Sequence, residues 1–374
     1  MDSCDVLIVG AGPAGSSCAW QLRHSGLDIA ILDKQTFPRD KVCGGWITPA
    51  VVDELEIKLG EYSKGRVLQP ITGFRASLMG DSETETDYGR PISYGIRRYE
   101  FDDYLLKRTG ARLLLGVGLT GLERSGDCWV VNGQIKTPLV VGAGGHFCPV
   151  ARFLGAKIGC EVIVAAQEAE FEMDARQRAG CSIRGEIPEL YFCPDMRGYG
   201  WCIRKQNILN VGLGRLDSQG LSTHVAKFLY FLEASKKLSF DLPTRLLGHA
   251  YLLYGKTNRE VVSEGLMLIG DAAGLAYSQS GEGIRPAIES GLLAAKVITA
   301  ACGNYHRERL EAYRAVIASR FGKSQKDWAM NIGRRLSPRL VGSLARPLLA
   351  TRWFSRRVVL ERWFLHLQEP ALNL

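Results

Sequence analysis

The chain has 374 residues, of which 46% are hydrophobic and 23% are charged. These proportions are typical of a globular protein and exclude a disordered chain, a collagen and a polytopic membrane protein. At roughly 150 residues per domain, the length predicts about two domains. The net charge is +8, and most of the excess lies in residues 321–374, where ten basic residues accompany three acidic ones.

The first predicted unit is a β-strand at residues 5–10, a glycine-rich turn, a helix at about residues 13–25 and a second strand at residues 28–33.

No basic segment precedes the first strand, so we expect no export signal and a cytoplasmic protein with reduced thiols. The ten cysteines form neither a C-x-x-C pair nor a Cys/His cluster, so the sequence predicts no metal site.

The turn of this unit carries the G-x-G-x-x-G motif of dinucleotide-binding folds, Gly10-Ala-Gly12-Pro13-Ala14-Gly15. The first glycine permits the tight turn, the second lets the backbone approach a pyrophosphate, and the third allows close packing of helix on strand. Asp33, at the end of the second strand and followed by Lys34, is placed to accept hydrogen bonds from a ribose. An acid at this position favours FAD or NAD over NADP.

Further along, the strand-like segments 199–203 and 208–214 indicate a separate β-rich domain. A buried strand at 265–271 and a small-residue helix at about 284–301 then return the chain to the first domain. The predicted fold class is therefore α/β: a Rossmann-like FAD-binding domain, a β-sheet-rich substrate domain and a C-terminal helical segment. The predicted boundaries are 1–68, 96–154 and 256–302 for the FAD-binding domain, 69–95 and 155–255 for the substrate domain, and 303–374 for the C-terminal segment.

Two later motifs specify the dinucleotide. Gly270-Asp271-Ala-Ala-Gly274 resembles the second FAD fingerprint of the para-hydroxybenzoate hydroxylase-like flavoproteins, in which the acid holds the ribityl chain. Arg98 is similar to the arginine of that group that contacts FAD. This resemblance implies FAD as the cofactor. Where the group has Gly-Ala-Asp-Gly, this chain has Gly142-Ala-Gly-Gly145, which weakens the case for flavin reduction by NAD(P)H in the hydroxylase manner.

The segment that contains Gly281, Gly283 and Ile284 precedes the small-residue helix. In the fold of the resembled group, it brings backbone N–H groups and a helix N-terminus to the pyrimidine edge of the flavin. Such an arrangement stabilises negative charge on reduced flavin and favours delivery of a hydride from its N5 atom.

A second resemblance concerns the substrate. One segment resembles the Y-x-W-x-F-P-x7-G-x-G signature of the geranylgeranyl reductase family. It consists of Tyr199, Trp201 and the pair Ile203-Arg204, followed after seven residues by Gly212-Leu-Gly214. Cys43 and Gly44 resemble the Cys-Gly-Gly loop that this family has near the flavin. The resemblance implies hydride transfer from reduced FAD to a C=C bond of a prenyl lipid, a quinone or a related apolar compound. It gives catalytic roles to Cys43, Tyr199 and Trp201, and the electron donor would be NAD(P)H or a reduced ferredoxin.

Three alternatives stay open at this stage. The first is an FAD-dependent monooxygenase or halogenase that acts on an aromatic or polyketide compound. The second is a flavin-binding protein without turnover that serves as a membrane-associated partner. For the aromatic pair itself, ordinary core packing competes with a substrate-binding role.

The basic tail permits two interpretations. Leu349, Trp353, Leu360, Phe364 and Leu367 fall on one predicted helical face, with arginines at its edges. This pattern predicts either a peripheral contact with the cytoplasmic membrane or a helix docked on the FAD domain. Nucleic acid is not expected as a partner, since no recognised binding module accompanies the charge.

Overall fold

The structure is a computed structural model that describes residues 1–157, 159–216, 219–243, 245–256, 258–322 and 345–372. Strands and helices are interspersed up to residue 115. They are β1 (Asp2–Ser3), β2 (Val6–Val9), α1 (Pro13–Leu22), β3 (Ile29–Asp33), β4 (Trp46–Ile47), α2 (Pro49–Glu54), α3 (Leu59–Tyr62), β5 (Leu68–Ile71), β6 (Gly73–Leu78), β7 (Thr84–Asp87), β8 (Ser93–Ile96), α4 (Arg98–Lys107) and β9 (Arg112–Leu115).

Strands predominate in the middle of the chain, and helices predominate near its end. The middle elements are β10 (Leu122–Ser125), β11 (Cys128–Val131), β12 (Ile135–Thr137), β13 (Leu139–Gly142), α5 (Pro149–Phe153), β14 (Ile163–Glu172), α6 (Ala175–Ala179), β15 (Glu189–Phe192), β16 (Gly198–Lys205), β17 (Ile208–Arg215), α7 (Leu221–Ala234) and β18 (Leu247–Leu252). The last elements are β19 (Val262–Ser263), β20 (Leu266–Leu268), a 3₁₀ turn (Gly270–Ala272), α8 (Ile284–Ala301), α9 (Arg307–Phe321), helical residues 345–349, α10 (Arg352–Phe354) and a π-helical stretch (Ser355–Phe364).

A six-stranded sheet in the order β19-β20-β13-β2-β3-β9 forms the dinucleotide-binding part of the molecule. All its strand pairs are parallel except β19–β20. The strand β2 is buried throughout, as expected for a parallel strand covered on both faces. Helices α1 and α8 cross closely, since a Cβ on Gly291 of α8 would overlap the backbone of Ala14 in α1.

A seven-stranded sheet in the order β18-β14-β17-β16-β15-β6-β7 forms the second part. On one face, Val211, Leu213 and Cys202 pack with Phe228 and Leu232 of α7 in a buried core. The opposite face is turned towards the dinucleotide-binding part. The α/β fold class with a helical C-terminal segment is thus confirmed. The domain boundaries given above stay a prediction.

The C-terminal segment corrects the predicted amphipathic face. Leu349, Leu360 and Phe364 are buried in a core cluster on the seven-stranded sheet, whereas Trp353 and Leu367 are 67% and 50% exposed. The prediction of one apolar face was wrong because the helix breaks before α10 and continues with π-helical geometry, which rotates successive side chains differently from an α-helix.

The chain end beyond this helix returns to the dinucleotide-binding part. The His366 ring stacks on Tyr277 with centroids 3.6 Å apart. Arg285 of α8 donates hydrogen bonds to the carbonyl oxygens of Glu369 and Pro370. The C-terminal segment therefore docks on both parts of the molecule, and not on the dinucleotide-binding part alone.

Five basic residues of the tail lie outside the described residues: Lys323, Lys326, Arg334, Arg335 and Arg339. Within the part of the chain that the structure describes, no helix combines the length and the apolar character that crossing a membrane requires.

The contacts of Phe364 predict that the C-terminal segment contributes strongly to stability. Phe364 is fully buried and its ring lies against Tyr199, Trp46 and Phe192. We expect Phe364→Ala to lower the free energy of unfolding by about 3–5 kcal/mol through the cavity that it leaves. The control Trp353→Ala, at an exposed site, should change it by less than about 0.5 kcal/mol. Urea unfolding measures both, and equal effects would contradict the observed docking.

Candidate functional site

A cavity of about 1110 Å³ lies between the two sheets, and most of the predicted site residues line it. These are Gly10, Gly12, Pro13, Ala14, Asp33, Lys34, Cys43, Gly44, Arg98, Tyr199, Trp201, Asp271, Gly281, Gly283 and Ile284. Gly15 and Gly270 lie behind its wall. The volume is slightly above the usual range of ligand sites, about 300–1,000 Å³, so the cavity is large enough for a large cofactor.

The glycine-rich turn has the geometry that its motif predicts. Gly10 has a φ of +120°, and a Cβ there would overlap the carbonyl oxygen of Ala143, which directly follows the neighbouring strand β13. A Cβ on Gly15 would overlap the carbonyl of Gly10, so α1 can pack this closely only on a glycine. At Gly12, by contrast, the nearest atom to an added Cβ is Arg39 Nη2 at 3.5 Å. The backbone is therefore open to the cavity where a pyrophosphate would approach.

Arg39 is a cavity residue that the sequence motifs do not single out. Its guanidinium is paired with the buried carboxylate of Asp102 at 3.1 Å and lies over the Phe37 ring. Its Nη1 atom is buried and has no hydrogen-bond partner among the described residues. A buried guanidinium nitrogen without a partner, next to the glycine-rich turn, fits an anionic group such as a pyrophosphate.

Arg98 lies on the other side of the same carboxylate. Its Nε and Nη2 atoms donate to the two oxygens of Asp102, at 2.6 and 2.7 Å, in a buried bidentate pair at the start of α4. Asp102 therefore positions two arginines at the wall of the cavity. The predicted contact of Arg98 with FAD stays a prediction.

Asp271 faces the cavity together with two basic residues from distant parts of the chain. His249 Nε2 lies 3.8 Å from Asp271 Oδ2, and Lys41 Nζ lies 2.9 Å from the His249 ring nitrogens. Burial lowers the pKa of Lys41 to about 8. Burial alone would raise the pKa of Asp271, but the neighbouring His249, Lys41 and Arg98 hold it below its usual range. An ionised carboxylate here can accept hydrogen bonds from sugar hydroxyls.

Asp33 is held by the backbone on both sides. Its Oδ2 accepts a hydrogen bond from the N–H of Ala11 at 2.7 Å, and its Oδ1 accepts one from Gln35. The carboxylate therefore has a fixed orientation at the edge of the cavity. The open turn at Gly12, the Arg39 nitrogen and the two carboxylates could therefore hold the pyrophosphate, ribityl and ribose groups of FAD, and these individual contacts stay a prediction.

The loop around Cys43 connects the two parts of the molecule inside the cavity. The N–H of Cys43 donates to Glu168 Oε1 of β14 at 2.5 Å, and its carbonyl accepts from Asn210 Nδ2 of β17 at 3.1 Å. Burial raises the pKa of the Cys43 thiol. We call this pair of hydrogen bonds the Cys43 clasp.

Trp201 and Glu168 occupy one row across three strands of the seven-stranded sheet. Both are register partners of Gly212, which lies between them on β17. A Cβ on Gly212 would overlap the Trp201 ring and would lie 2.7 Å from Glu168 Cβ. Gly212, the first glycine of the G-x-G pair, therefore cannot carry a side chain, because Trp201 and Glu168 fill the space on either side of it.

Tyr199 lies in the next row, where it pairs with Gly214. The rings of Tyr199 and Trp201 have centroids 6.0 Å apart, on the same face of β16. The Tyr199 hydroxyl donates to the carbonyl of Ser280 at 2.5 Å, and Trp201 Nε1 donates to Asn210 Oδ1 at 2.6 Å. The polar atoms of both rings are thus occupied, and their apolar faces are left to the cavity.

Motif reasoning missed several cavity residues, namely Arg39, Lys41, Glu168, His249 and Tyr251. Arg39 and Lys41 could have been suspected, because they flank the Cys43 loop. The others belong to β14 and β18, where strand register alone brings them to the cavity. At Gly144, where the resembled flavoproteins have an acid, a Cβ would lie 3.3 Å from Cys148 atoms, so Cys148 crowds any side chain there.

Comparison with known proteins places these features in context. Residues 5–78 match the family model described as FAD dependent oxidoreductase. The chain is 30% identical over 370 residues to menaquinone reductase of Mycobacterium tuberculosis, a match that covers 90% of this chain and 84% of that protein. It is 26% identical to the digeranylgeranylglycerophospholipid reductase of Methanocaldococcus jannaschii, with 83% of this chain and 81% of that protein covered.

A solved structure shares the fold. The geranylgeranyl bacteriochlorophyll reductase-like protein of Thermoplasma acidophilum superposes with a TM-score of 0.77 at 22% identity. The match covers 96% of this chain and 94% of that one. The two-sheet architecture is therefore common to both proteins over nearly their whole lengths.

The row of side chains through Gly212 predicts that alanine substitution destabilises the protein at Gly212 but not at Gly214. Gly212→Ala should displace the Trp201 ring and lower the free energy of unfolding by about 1–3 kcal/mol through overpacking. Gly214→Ala should be tolerated, since the nearest atom to its new Cβ is 3.6 Å away. Thermal unfolding of the FAD-loaded variants tests both. Equal stability of the two variants would contradict the described row.

Proposed function

We propose that this chain, which belongs to the geranylgeranyl reductase family of FAD-dependent oxidoreductases, reduces a C=C bond in the isoprenoid chain of a prenylated quinone. The observation that carries the proposal is the aromatic wall formed by Trp46, Tyr199 and Trp201 in the same cavity as the Cys43 loop. Similarity to a menaquinone reductase favours a quinone over other prenyl lipids. FAD is the cofactor.

The aromatic wall suits an apolar chain. Trp201 is 7% exposed, and its N–H is already bonded to Asn210, so its ring presents carbon atoms to a ligand. Phe364 of the C-terminal segment packs behind Tyr199 with centroids 5.1 Å apart and fixes its ring. Burial of an isoprenoid chain against such rings is favoured by about 25 cal/mol per Å² of apolar surface.

The chemistry divides between cofactor and chain. Reduced FAD supplies a hydride equivalent when bound. The chain orients the alkene against Tyr199 and Trp201, whose faces can stabilise positive charge at the more substituted carbon, by roughly 0.5–2 kcal/mol per ring. The Cys43 clasp holds the loop at a fixed distance from the sheet. The backbone of Gly281, Gly283 and Ile284 at the start of α8 favours negative charge beside it.

Two further aspects belong to this proposal. The electron donor is NAD(P)H or a reduced ferredoxin, and the crowded site at Gly144 supports a different donor contact from that of the hydroxylases. Peripheral membrane contact is supported by the exposed side chains of Trp353 and Leu367, whereas Leu349, Leu360 and Phe364 are buried. Sedimentation of Trp353→Ala with anionic vesicles, compared with the unaltered protein, tests that contact.

Anaerobic product analysis tests the function. Dithionite-reduced enzyme is mixed with menaquinone, or with a digeranylgeranyl glycerophospholipid, and the product is examined by mass spectrometry. We expect reoxidation of the flavin by menaquinone and a gain of two hydrogens in its isoprenoid chain. Reduction of the phospholipid alone would move the proposal to prenyl lipids. Reoxidation only by air, with oxygenation or halogenation of an aromatic compound, would replace it by the monooxygenase or halogenase alternative.

A further inference from the structure

An isolated alkene requires a proton as well as a hydride, and the chain must place a proton donor beside the aromatic wall. Tyr199 and Trp201 cannot serve directly, because their O–H and N–H groups donate to Ser280 and Asn210. The Cys43 thiol lies on the loop, not on the sheet. The remaining polar side chain in the row of Trp201 is Glu168.

Glu168 has the geometry of a proton donor. It lines the cavity and is 3% exposed. Its Oε1 accepts the hydrogen bond of the Cys43 clasp, whereas its Oε2 is buried and has no hydrogen-bond partner among the described residues. A buried ionised carboxylate oxygen without a donor is costly, and protonation of that oxygen lowers the cost because it removes the buried negative charge.

We propose that Glu168 is the catalytic acid, whose Oε2 gives its proton to one alkene carbon as the neighbouring carbon receives the hydride. This inference rests on the proposed function. The two π electrons of the C=C bond form the new C–H bond to the proton, and the hydride forms the second. The alkene gains two hydrogens and two electrons: the hydride would come from reduced FAD, the proton comes from Glu168, and the Glu168 carboxylate regains a proton from water.

The surroundings of Glu168 favour its neutral form. Burial raises the pKa of Glu168 to about 7. The neighbouring Glu170 behaves differently, because Lys205 holds its pKa below the usual range against the effect of burial. The strand therefore carries one carboxyl that can be neutral and one that is ionised. The charged groups that act on the Glu168 carboxyl are Lys205 of β16, which lowers its pKa, and Glu170 of β14, which raises it. The other titratable groups that line the same cavity include Lys41, Cys43, Arg98, Tyr199, His249, Asp271 and Glu282.

Glu282 is the rival carboxyl in the cavity, and burial raises its pKa to about 7 as well. Its Oε1, however, accepts a hydrogen bond from the N–H of Arg285 at 2.8 Å in the first turn of α8. It also belongs to the segment predicted to meet the flavin. Glu168 is the carboxyl that shares a row with Trp201, on the side of the proposed substrate.

The test uses the FAD-loaded enzyme and Glu168→Gln. The amide oxygen can still accept from Cys43, so the clasp is kept while the acid is lost. In an anaerobic single turnover, we expect isoprenoid reduction to fall by about 100-fold or more, the usual effect of a lost general acid. Oxidation of the reduced flavin by a naphthoquinone without a prenyl chain should keep its rate. Glu172→Gln, on the same strand but hydrogen-bonded to Asn207, is the matched control and should behave as the unaltered enzyme.

Three measurements separate an acid from a structural anchor. The rate of alkene reduction should fall as the pH rises through about 7, and the residual rate of Glu168→Gln should not follow this curve. Glu168→Asp should restore part of the turnover. Independently of activity, the difference between the infrared spectra of the unaltered protein and of Glu168→Gln should contain a carboxylic acid C=O band that disappears over the same pH range, because any band of Glu282 is common to both proteins and cancels.

The outcomes are distinguishable from those of the proposed function. Turnover of Glu168→Gln at the rate of the unaltered enzyme, or no such infrared band, overturns the role of Glu168 and leaves the reductase function standing. If the unaltered enzyme reduces no prenyl compound, both fall together.

Discussion

The Cys43 clasp is the interaction on which the rest of the site depends. Two hydrogen bonds, from Cys43 N–H to Glu168 and from Asn210 to the Cys43 carbonyl, tie a loop of the dinucleotide-binding part to the face of the seven-stranded sheet. Asn210 also accepts from Trp201, so the same residues fix the aromatic ring and the loop. Because both partners are buried, loss of either would leave a buried polar group without a partner, at a cost of about 1–3 kcal/mol.

Around this junction, a glycine and the C-terminal segment allow the large side chains of the cavity wall to pack closely. Gly212 leaves the space in which Trp201 and Glu168 lie side by side. Phe364 then covers Tyr199 and Trp46 from the other side. The last described residues return to α8 through Arg285, so one segment stabilises both the substrate wall and the helix that starts at the cofactor site.

Much of the cofactor site could be predicted from the sequence, because its residues act through short local motifs. The turn at Gly10 and the helix from Ile284 to Ala301 are found where glycine spacing and small-residue patterns place them. Glu168, Asn210 and His249 could not be predicted in this way. Their positions depend on the register of β14, β17 and β18, which pairs residues that are far apart in the chain, such as Glu170 with Asn210 and Ala166 with His249. The single apolar face predicted for the C-terminal segment is wrong, in part because an α-helical period does not describe a π-helical stretch.

The central claim is that flavin and isoprenoid chain meet in one cavity, against the row of Trp201 and Glu168. A crystal structure of the FAD-loaded protein with bound menaquinone tests it most directly. We expect the flavin ring beside the Cys43 loop and residues 281–284, with a prenyl double bond between that ring and the Trp201–Glu168 row. An isoprenoid chain bound elsewhere, with the space before Trp201 filled by protein side chains, would contradict it.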